Sequence, residues 1–298
     1  MKSYRIKVAS VVGLLLSACS SDSSDTNATG TVQIIVVPED SIPEGLTPGD
    51  GGENIKDGFT VTYDRYLIAI GDFAASRTQS SGDKISDPTT HVLDLKNAPR
   101  DGYIVTTWTG LRAAEWDKFG FSLVNANSTA TGLAPTSDSD VAFMTSSGYS
   151  IYFEGKIDNG TDELAFKWGF AAGTRFADCA DDQGKAGFAV PSGGSVQIKP
   201  TIHGDHWFFT NVTEGAEITE RRAQWMVECN ADKDGELTIA ELKACKASNV
   251  FPSGTYNLAG ITDQDGDGSL TAFDYVETQV RTLGDYQGDG ECPTRTKL

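Results

Sequence analysis

Phe59-Thr60-Val61-Thr62-Tyr63, followed closely by Tyr66-Leu67-Ile68-Ala69-Ile70, decides the fold of this chain. The first run alternates apolar and polar residues with the two-residue period of a strand, and the second reads as a further strand. Outward from this point the same signature recurs. Residues 31–37 are rich in β-branched side chains, and further candidate strands lie at 91–95, 103–108, 118–123, 150–155, 163–168, 195–202 and 206–210. All are short and are separated by Gly, Asp, Asn, Ser and Pro clusters, with little helical periodicity. That pattern predicts a β-sandwich or barrel over residues 31–213, long enough to bury one sizeable core. Residues 42–56 and 125–146 are low in complexity and are expected to be exposed connections.

The composition changes near Glu214. Residues 218–228, carrying Arg221, Arg222, Trp225 and Met226, read as a helix; 240–246 and 272–282 read as two more. Pro252 and Gly254 break the chain between them. The expected class is therefore α+β: a β-sandwich-like domain, then a small helical pair over 214–282, then a tail over 283–298.

Two twelve-residue stretches sit between those helices. The first runs from Asn230 through Asp232, Asp234, Gly235, Glu236 and Thr238 to Glu241. The second runs from Asp263 through Asp265, Asp267, Gly268, Ser269 and Thr271 to Asp274. Each puts side-chain oxygens at positions 1, 3 and 5, glycine at 6 and a carboxylate at 12. A hard cation such as Ca²⁺ takes about six to eight oxygens, and this spacing supplies them on a short loop. The segment resembles the EF-hand family over roughly residues 216–282. The resemblance implies two Ca²⁺ sites. Glu236 and Ser269 would use their carbonyls, Thr238 and Thr271 would act directly or through water, and the acid at 12 would close the site. It also implies that Leu237 and Leu270, at position 8 of each loop, meet in a short β-bridge. Asn230 gives up one charge in loop one, and Asp274 is one methylene shorter than Glu in loop two. The stretch Asp285-Tyr286-Gln287-Gly288-Asp289-Gly290 imitates the opening of the pattern, but its position 12 would be Thr296. With only three Met in the chain, calcium is expected to hold shape rather than to expose a Met-rich groove.

Lys2, Arg5 and Lys7 precede a short apolar run, residues 8–16, which ends in Leu16-Ser17-Ala18-Cys19. This resembles the lipobox of bacterial lipoproteins. It implies a signal over 1–18, cleavage before Cys19, lipidation of Cys19, and membrane attachment through that lipid. Residues 19–30 have the Ser/Asp/Asn/Thr bias of a flexible tether. Ser20 after the cysteine implies the outer membrane, so the expected location is the bacterial cell envelope. The other four cysteines, an even number, favour disulfides in an oxidising compartment. Of three connectivities we favour Cys229–Cys245, flanking the first loop, with Cys179–Cys292. The net charge of −18 argues against nucleic acid as a partner.

His203 and His206, with Asp205 between them, form the chain's one histidine cluster and could bind copper or zinc. On an extended strand the two rings would point to opposite faces, so a turn at Gly204-Asp205 is needed to unite them. A strand end that merely hydrogen-bonds to its neighbours is the other reading. The order Val61-Thr62-Tyr63-Asp64-Arg65-Tyr66-Leu67, Val92-Leu93-Asp94-Leu95, Phe119-Gly120-Phe121-Ser122 and then a late His-containing strand is similar to the periplasmic copper-binding MbnP-like lipoproteins. That resemblance implies copper, with His203 and His206 as ligands. No Gly-x-Ser-x-Gly elbow or P-loop occurs, and the chain is expected not to be an enzyme. Calcium binding, transition-metal handling by the β domain, and calcium-dependent adhesion to a protein or glycan are the three functional readings.

Overall fold

The computed structural model describes residues 27–211 and 219–298. The signal, Cys19 and most of the tether fall outside the described residues, as do 212–218. The chain is mostly β, and its helices are few and short.

The opening stretch is one strand, Thr60–Arg77, not two. Val61 and Tyr63 face the core at odd positions, whereas Tyr66, Ile68 and Ile70 face it at even ones. A period of two cannot change parity without an extra residue. Asp64 is that residue: pairing to Ile151–Asp158 slips between Tyr63 and Arg65. A second slip between Gly71 and Ala74 returns Phe73 and Ala75 to the core. The strand thus crosses the whole molecule with one face kept inward. It is the hub of a ten-stranded sheet in the order Glu236–Leu237, Glu163–Phe170, Ile151–Asp158, Thr60–Arg77, Lys118–Leu123, Thr174–Ala177, Thr294–Lys297. Ser80–Asp87 and His91–Asp94 pair with the hub as well.

A smaller sheet centres on Thr29–Pro38. It pairs antiparallel with Tyr103–Arg112 and parallel with Ser195–Ile198 and then Pro200–Ile202. The run expected as one strand over 195–202 is therefore two, parted at Lys199. Pro200–Ile202 in turn pairs with Gly284–Tyr286, brought from the C-terminal tail.

Several expectations need correction. Residues 125–146 are not only an exposed connection: Asp138–Ser147 is a helix, capped by the Ser137 hydroxyl at its start and by Gly148 (φ 67°) at its end. Its Met144 joins Leu67, Ala69, Val92, Ala126 and Ala130 in a second apolar cluster. The hub strand is apolar on both faces at Leu67–Ile70 because this segment covers its outer side. Ile42, Leu46 and Ile55, in the other low-complexity stretch, are buried. The strand expected over 206–210 is a short 3-10 helix, His206–Phe208. The helices expected at 218–228, 240–246 and 272–282 are Gln224–Cys229, Ile239–Ala244 and Ala272–Val280.

One main core takes in residues from both sides of the boundary expected at 214. Trp225, Met226, Leu237, Leu242, Tyr275 and Val280 belong to the same buried cluster as Phe153 and Trp168. The tail closes the molecule, with Thr294–Lys297 pairing to Thr174–Ala177. Disulfides join Cys179 to Cys292 and Cys229 to Cys245, the connectivity favoured from sequence. Among the described residues no helix is long and apolar enough to cross a membrane.

The two bridges close loops of very different length, with sequence separations of 113 and 16. Loop entropy makes the longer worth about 4–5 kcal/mol and the shorter about 3 kcal/mol. Urea unfolding of Cys179→Ser/Cys292→Ser is expected to show the larger loss. Equal losses in the two paired variants would contradict this account.

Candidate functional site

The turn needed to unite the two histidines is present, and the core builds it. Tyr66 donates its hydroxyl to the His203 carbonyl at 2.8 Å, and Tyr63 donates to the Gly204 carbonyl. Burial raises both phenols well above their ordinary pKa, so they are present as O–H donors. The Gly204 N–H donates to the Ser41 hydroxyl at 3.1 Å. A Cβ at 204 would stand 2.6 Å from Ile42 Cγ1, so the position admits only glycine without a shift. Beyond it the chain coils into the 3-10 turn, and Trp207 stacks on Phe153 with ring centroids 4.2 Å apart. The His203 and His206 rings come to the same side, 5.0 Å between centroids.

Both imidazoles face one oxygen. Asp205 Oδ1 lies 3.9 Å from His203 Nδ1 and 4.0 Å from His206 Nε2. That oxygen is fully buried and has no hydrogen-bond partner. The outward nitrogens are held from behind. His206 Nδ1 is 2.7 Å from Thr282 Oγ1, and that hydroxyl donates to the Gln279 carbonyl at 2.8 Å. With its only proton so committed, Thr282 accepts from His206 Nδ1–H, which leaves a lone pair on Nε2. His203 Nε2 is 3.1 Å from Asp285 Oδ2, off the line of an ideal hydrogen bond.

Electrostatics separate the two rings. Burial drives His206 down to about 4, against the pull of Asp205. Burial would also lower His203, but Asp285, Asp205 and Glu39 outweigh it and push the ring up to about 9. Asp205 is opposed by burial, yet His206, Arg221 and His203 hold its carboxyl below the usual range. Burial and the neighbouring Asp205 raise Glu39.

A cavity of about 1130 Å³ lies against this group, and its wall includes Glu39, His203, His206, Arg221 and Asp285. Arg221 organises the floor. Its Nε is 2.5 Å from Asp205 Oδ2, its Nη2 is 2.5 Å from Glu53 Oε2, and its Nη1 donates to the Gly52 carbonyl at 2.6 Å. The guanidinium also lies over the Phe209 ring at 4.9 Å. Sequence reasoning pointed to His203, Asp205 and His206 but missed Glu39, Glu53, Arg221, Thr282 and Asp285. The first two lie in or beside a stretch read as bland loop, and Asp285 opens the stretch set aside as a loop mimic.

The two oxygen-rich loops form a second centre, and they share one local scaffold. Position 4 has positive φ in both, at Lys233 (60°) and Gly266 (77°), as does position 6, at Gly235 (89°) and Gly268 (85°). The side chain at position 1 accepts from the N–H at 4, by Asn230 from Lys233 at 3.0 Å and by Asp263 from Gly266 at 2.6 Å. Position 3 accepts from 5, and 5 from 7, in both loops. Position 12 closes back on 2 and 9: Glu241 on Ala231 and Thr238, Asp274 on Gln264 and Thr271. Thr238 and Thr271 also begin the following helices with capping boxes. Asp263, Asp265 and Asp274 bring one oxygen each within 4.8 Å of the others. Backbone N–H groups, Gly268 first, hold the Asp263 carboxyl below its usual range. Among the described residues no comparable triad of acids occurs in loop one, which opens on Asn230.

The loops do not meet as expected. Leu237 pairs with Phe166 on the large sheet, and its carbonyl accepts from Trp168 Nε1 at 2.7 Å. Leu270 is 45 % exposed, and its neighbour Thr271 bridges to Lys246 instead. The reason is competition. The edge of Glu163–Phe170 pairs with loop one, and the chain beyond that loop is held beside loop two by backbone bonds, Ala272 N–H to the Cys245 carbonyl and Ala247 N–H to the Leu270 carbonyl. Lys243, on the helix leaving loop one, reaches Asp265 Oδ2 at 3.1 Å.

Arg221→Ala removes the cation that answers the buried Asp205 and is expected to cost about 3–5 kcal/mol in urea unfolding. Adding Asp205→Asn should recover part of that loss. A cost within about 0.5 kcal/mol, the range of ordinary surface changes, would contradict the assigned role.

Comparison with family models, with curated proteins and with solved structures returned no match.

Proposed function

We propose that this chain is a calcium-binding protein of the bacterial cell envelope, anchored by lipid on Cys19, in which two Ca²⁺ ions brace the C-terminal segment against the β sheets. The observation that carries this reading is the repetition of one hydrogen-bonded scaffold in two loops with unlike sequences. Each carboxylate is pinned through a backbone N–H. Asn230, Asp232, Asp234, the Glu236 carbonyl, Thr238 and Glu241 would serve the first ion. Asp263, Asp265, Asp267, the Ser269 carbonyl, Thr271 and Asp274 would serve the second. The role is structural because Leu237 is built into the large sheet, which ties loop one to the main core. Two disulfides suit an oxidising, extracytoplasmic setting, where affinities of about 10⁻⁴ to 10⁻³ M are adequate.

A second reading is favoured by a separate observation. His203, Asp205 and His206 are all buried and bring their donor atoms within 4.8 Å of one another at the cavity wall. This supports transition-metal handling by the β domain, with calcium holding the elements that surround the cavity.

Thermal unfolding tests the first reading. Free Ca²⁺ about 100-fold above Kd stabilises by about 2.7 kcal/mol per site, a Tm rise of roughly 5–10 °C for a chain of this size. Asp263→Ala with Asp274→Ala should abolish the part due to loop two. The reading fails if Ca²⁺ leaves the Tm of the unaltered chain where EGTA leaves it.

A further inference from the structure

We propose that Glu39 completes, with His203, Asp205 and His206, a four-donor site for one divalent ion of the zinc class, open to the cavity. The proposal rests on the transition-metal reading above and adds the donor set and the class of ion.

Three donors are already gathered, and a fourth stands beside one of them. Asp205 Oδ1 stands 3.9 and 4.0 Å from the two ring nitrogens, and Glu39 Oε2 stands 3.9 Å from His203 Nδ1. Donors about 2.0–2.2 Å from a tetrahedral ion stand about 3.3–3.6 Å apart. The His203, Asp205 and His206 atoms, within 4.8 Å of one another, draw in to reach that spacing, and Glu39, beside His203, joins them by rotation of its side chain. Asp205 Oδ1 is the second, independent indication. It is a fully buried carboxylate oxygen without a hydrogen-bond partner, aimed at both rings, while Arg221 engages only the other oxygen, Oδ2; a buried acceptor left so is costly.

The surrounding groups are arranged as they are behind metal ligands. Thr282 fixes His206 through Nδ1, and Asp285 stands behind His203 at Nε2, which turns the other nitrogen of each ring to the same point. Glu39 is placed with equal care. It follows Thr29–Pro38 directly, its N–H donates to the Ile202 carbonyl at 2.9 Å, and the Ser41 hydroxyl donates to its carboxylate. The neighbouring acidic group of Glu39, Glu53 and Asp205 is not the place for an ion, because the Arg221 guanidinium already lies between Asp205 and Glu53 at 2.5 Å from each.

The donor chemistry selects the ion. Two imidazoles and two carboxylates suit a borderline divalent cation. Monovalent copper prefers thiolates and thioethers. The four described cysteines are in disulfides, and neither Met144 nor Met226 borders the cavity. The nitrogen donors equally disfavour Ca²⁺. Asp205 lies behind the cavity wall while Glu39, His203 and His206 form part of it, so exchange of ion or of an added ligand would proceed from the cavity.

The test uses the full chain with Cys19→Ala, held in excess Ca²⁺ so that the oxygen-rich loops are filled, and Zn²⁺ as the probe. Elemental analysis after gel filtration should find one zinc per chain. His203→Ala with His206→Ala should weaken binding on the order of 100-fold, and Thr282→Val about tenfold. Glu39→Gln should weaken it about tenfold and alter the visible absorption of the Co²⁺ form, with the urea midpoint of each variant as the control for folding. No retained zinc, or zinc kept by the double histidine variant, overturns the proposal together with the reading beneath it. Zinc lost with the histidines but unchanged in affinity and cobalt spectrum by Glu39→Gln overturns the role of Glu39 and leaves that reading standing.

Discussion

Two phenol hydroxyls from the hub strand, those of Tyr66 and Tyr63, hold the carbonyls of His203 and Gly204, and the rest of the cavity wall depends on them. Neither carbonyl belongs to a regular ladder. Without such donors they would be buried polar groups with no partner, each costing about 1–3 kcal/mol. The tyrosines reach them because the bulge at Asp64 brings odd- and even-numbered residues to one face. A local irregularity in one strand thereby positions a turn some 140 residues further along the chain.

The same turn is held from the opposite side by the C-terminal segment. Tyr275, on helix Ala272–Val280, donates its hydroxyl to the Phe209 carbonyl at 2.5 Å. That helix carries Asp274, position 12 of loop two, in its first turn, and Thr282, the partner of His206, just beyond its end. One short helix therefore touches both candidate centres. Loop one is fastened separately, to the edge strand Glu163–Phe170 and by the Cys229–Cys245 bridge. The arrangement is that of a clamp, in which the oxygen-rich loops end elements that already belong to the main core.

Legibility followed the range of the interaction. The strand at 163–168 was readable because burial of one face imposes a period of two on consecutive residues, and that at 31–37 because β-branched side chains favour the extended chain. The oxygen-rich loops were readable because their ligand positions lie within twelve residues. Helix Asp138–Ser147 was not: its polar sequence has one buried residue, Met144, and its reason for being is the apolar outer face of the hub strand. The 3-10 turn at His206–Phe208 was read as a strand because His-Trp-Phe-Phe favours strands when taken alone, whereas stacking of Trp207 on Phe153 requires the coil.

By itself the sequence determined the β-strand character of the region before residue 212, within an expected α+β class, the spacing of both oxygen-rich loops and the three residues at the heart of the histidine cluster. It did so because each is a local pattern, imposed by backbone period or by the reach of a short loop. Only the tertiary structure decided that Leu237 joins the large sheet rather than Leu270, and that His203 and His206 face one orphaned oxygen. It alone brought Glu39, Arg221, Thr282 and Asp285 around that oxygen. Those partners come from three separate parts of the chain, and nothing but the packing of the two sheets and the tail makes them neighbours.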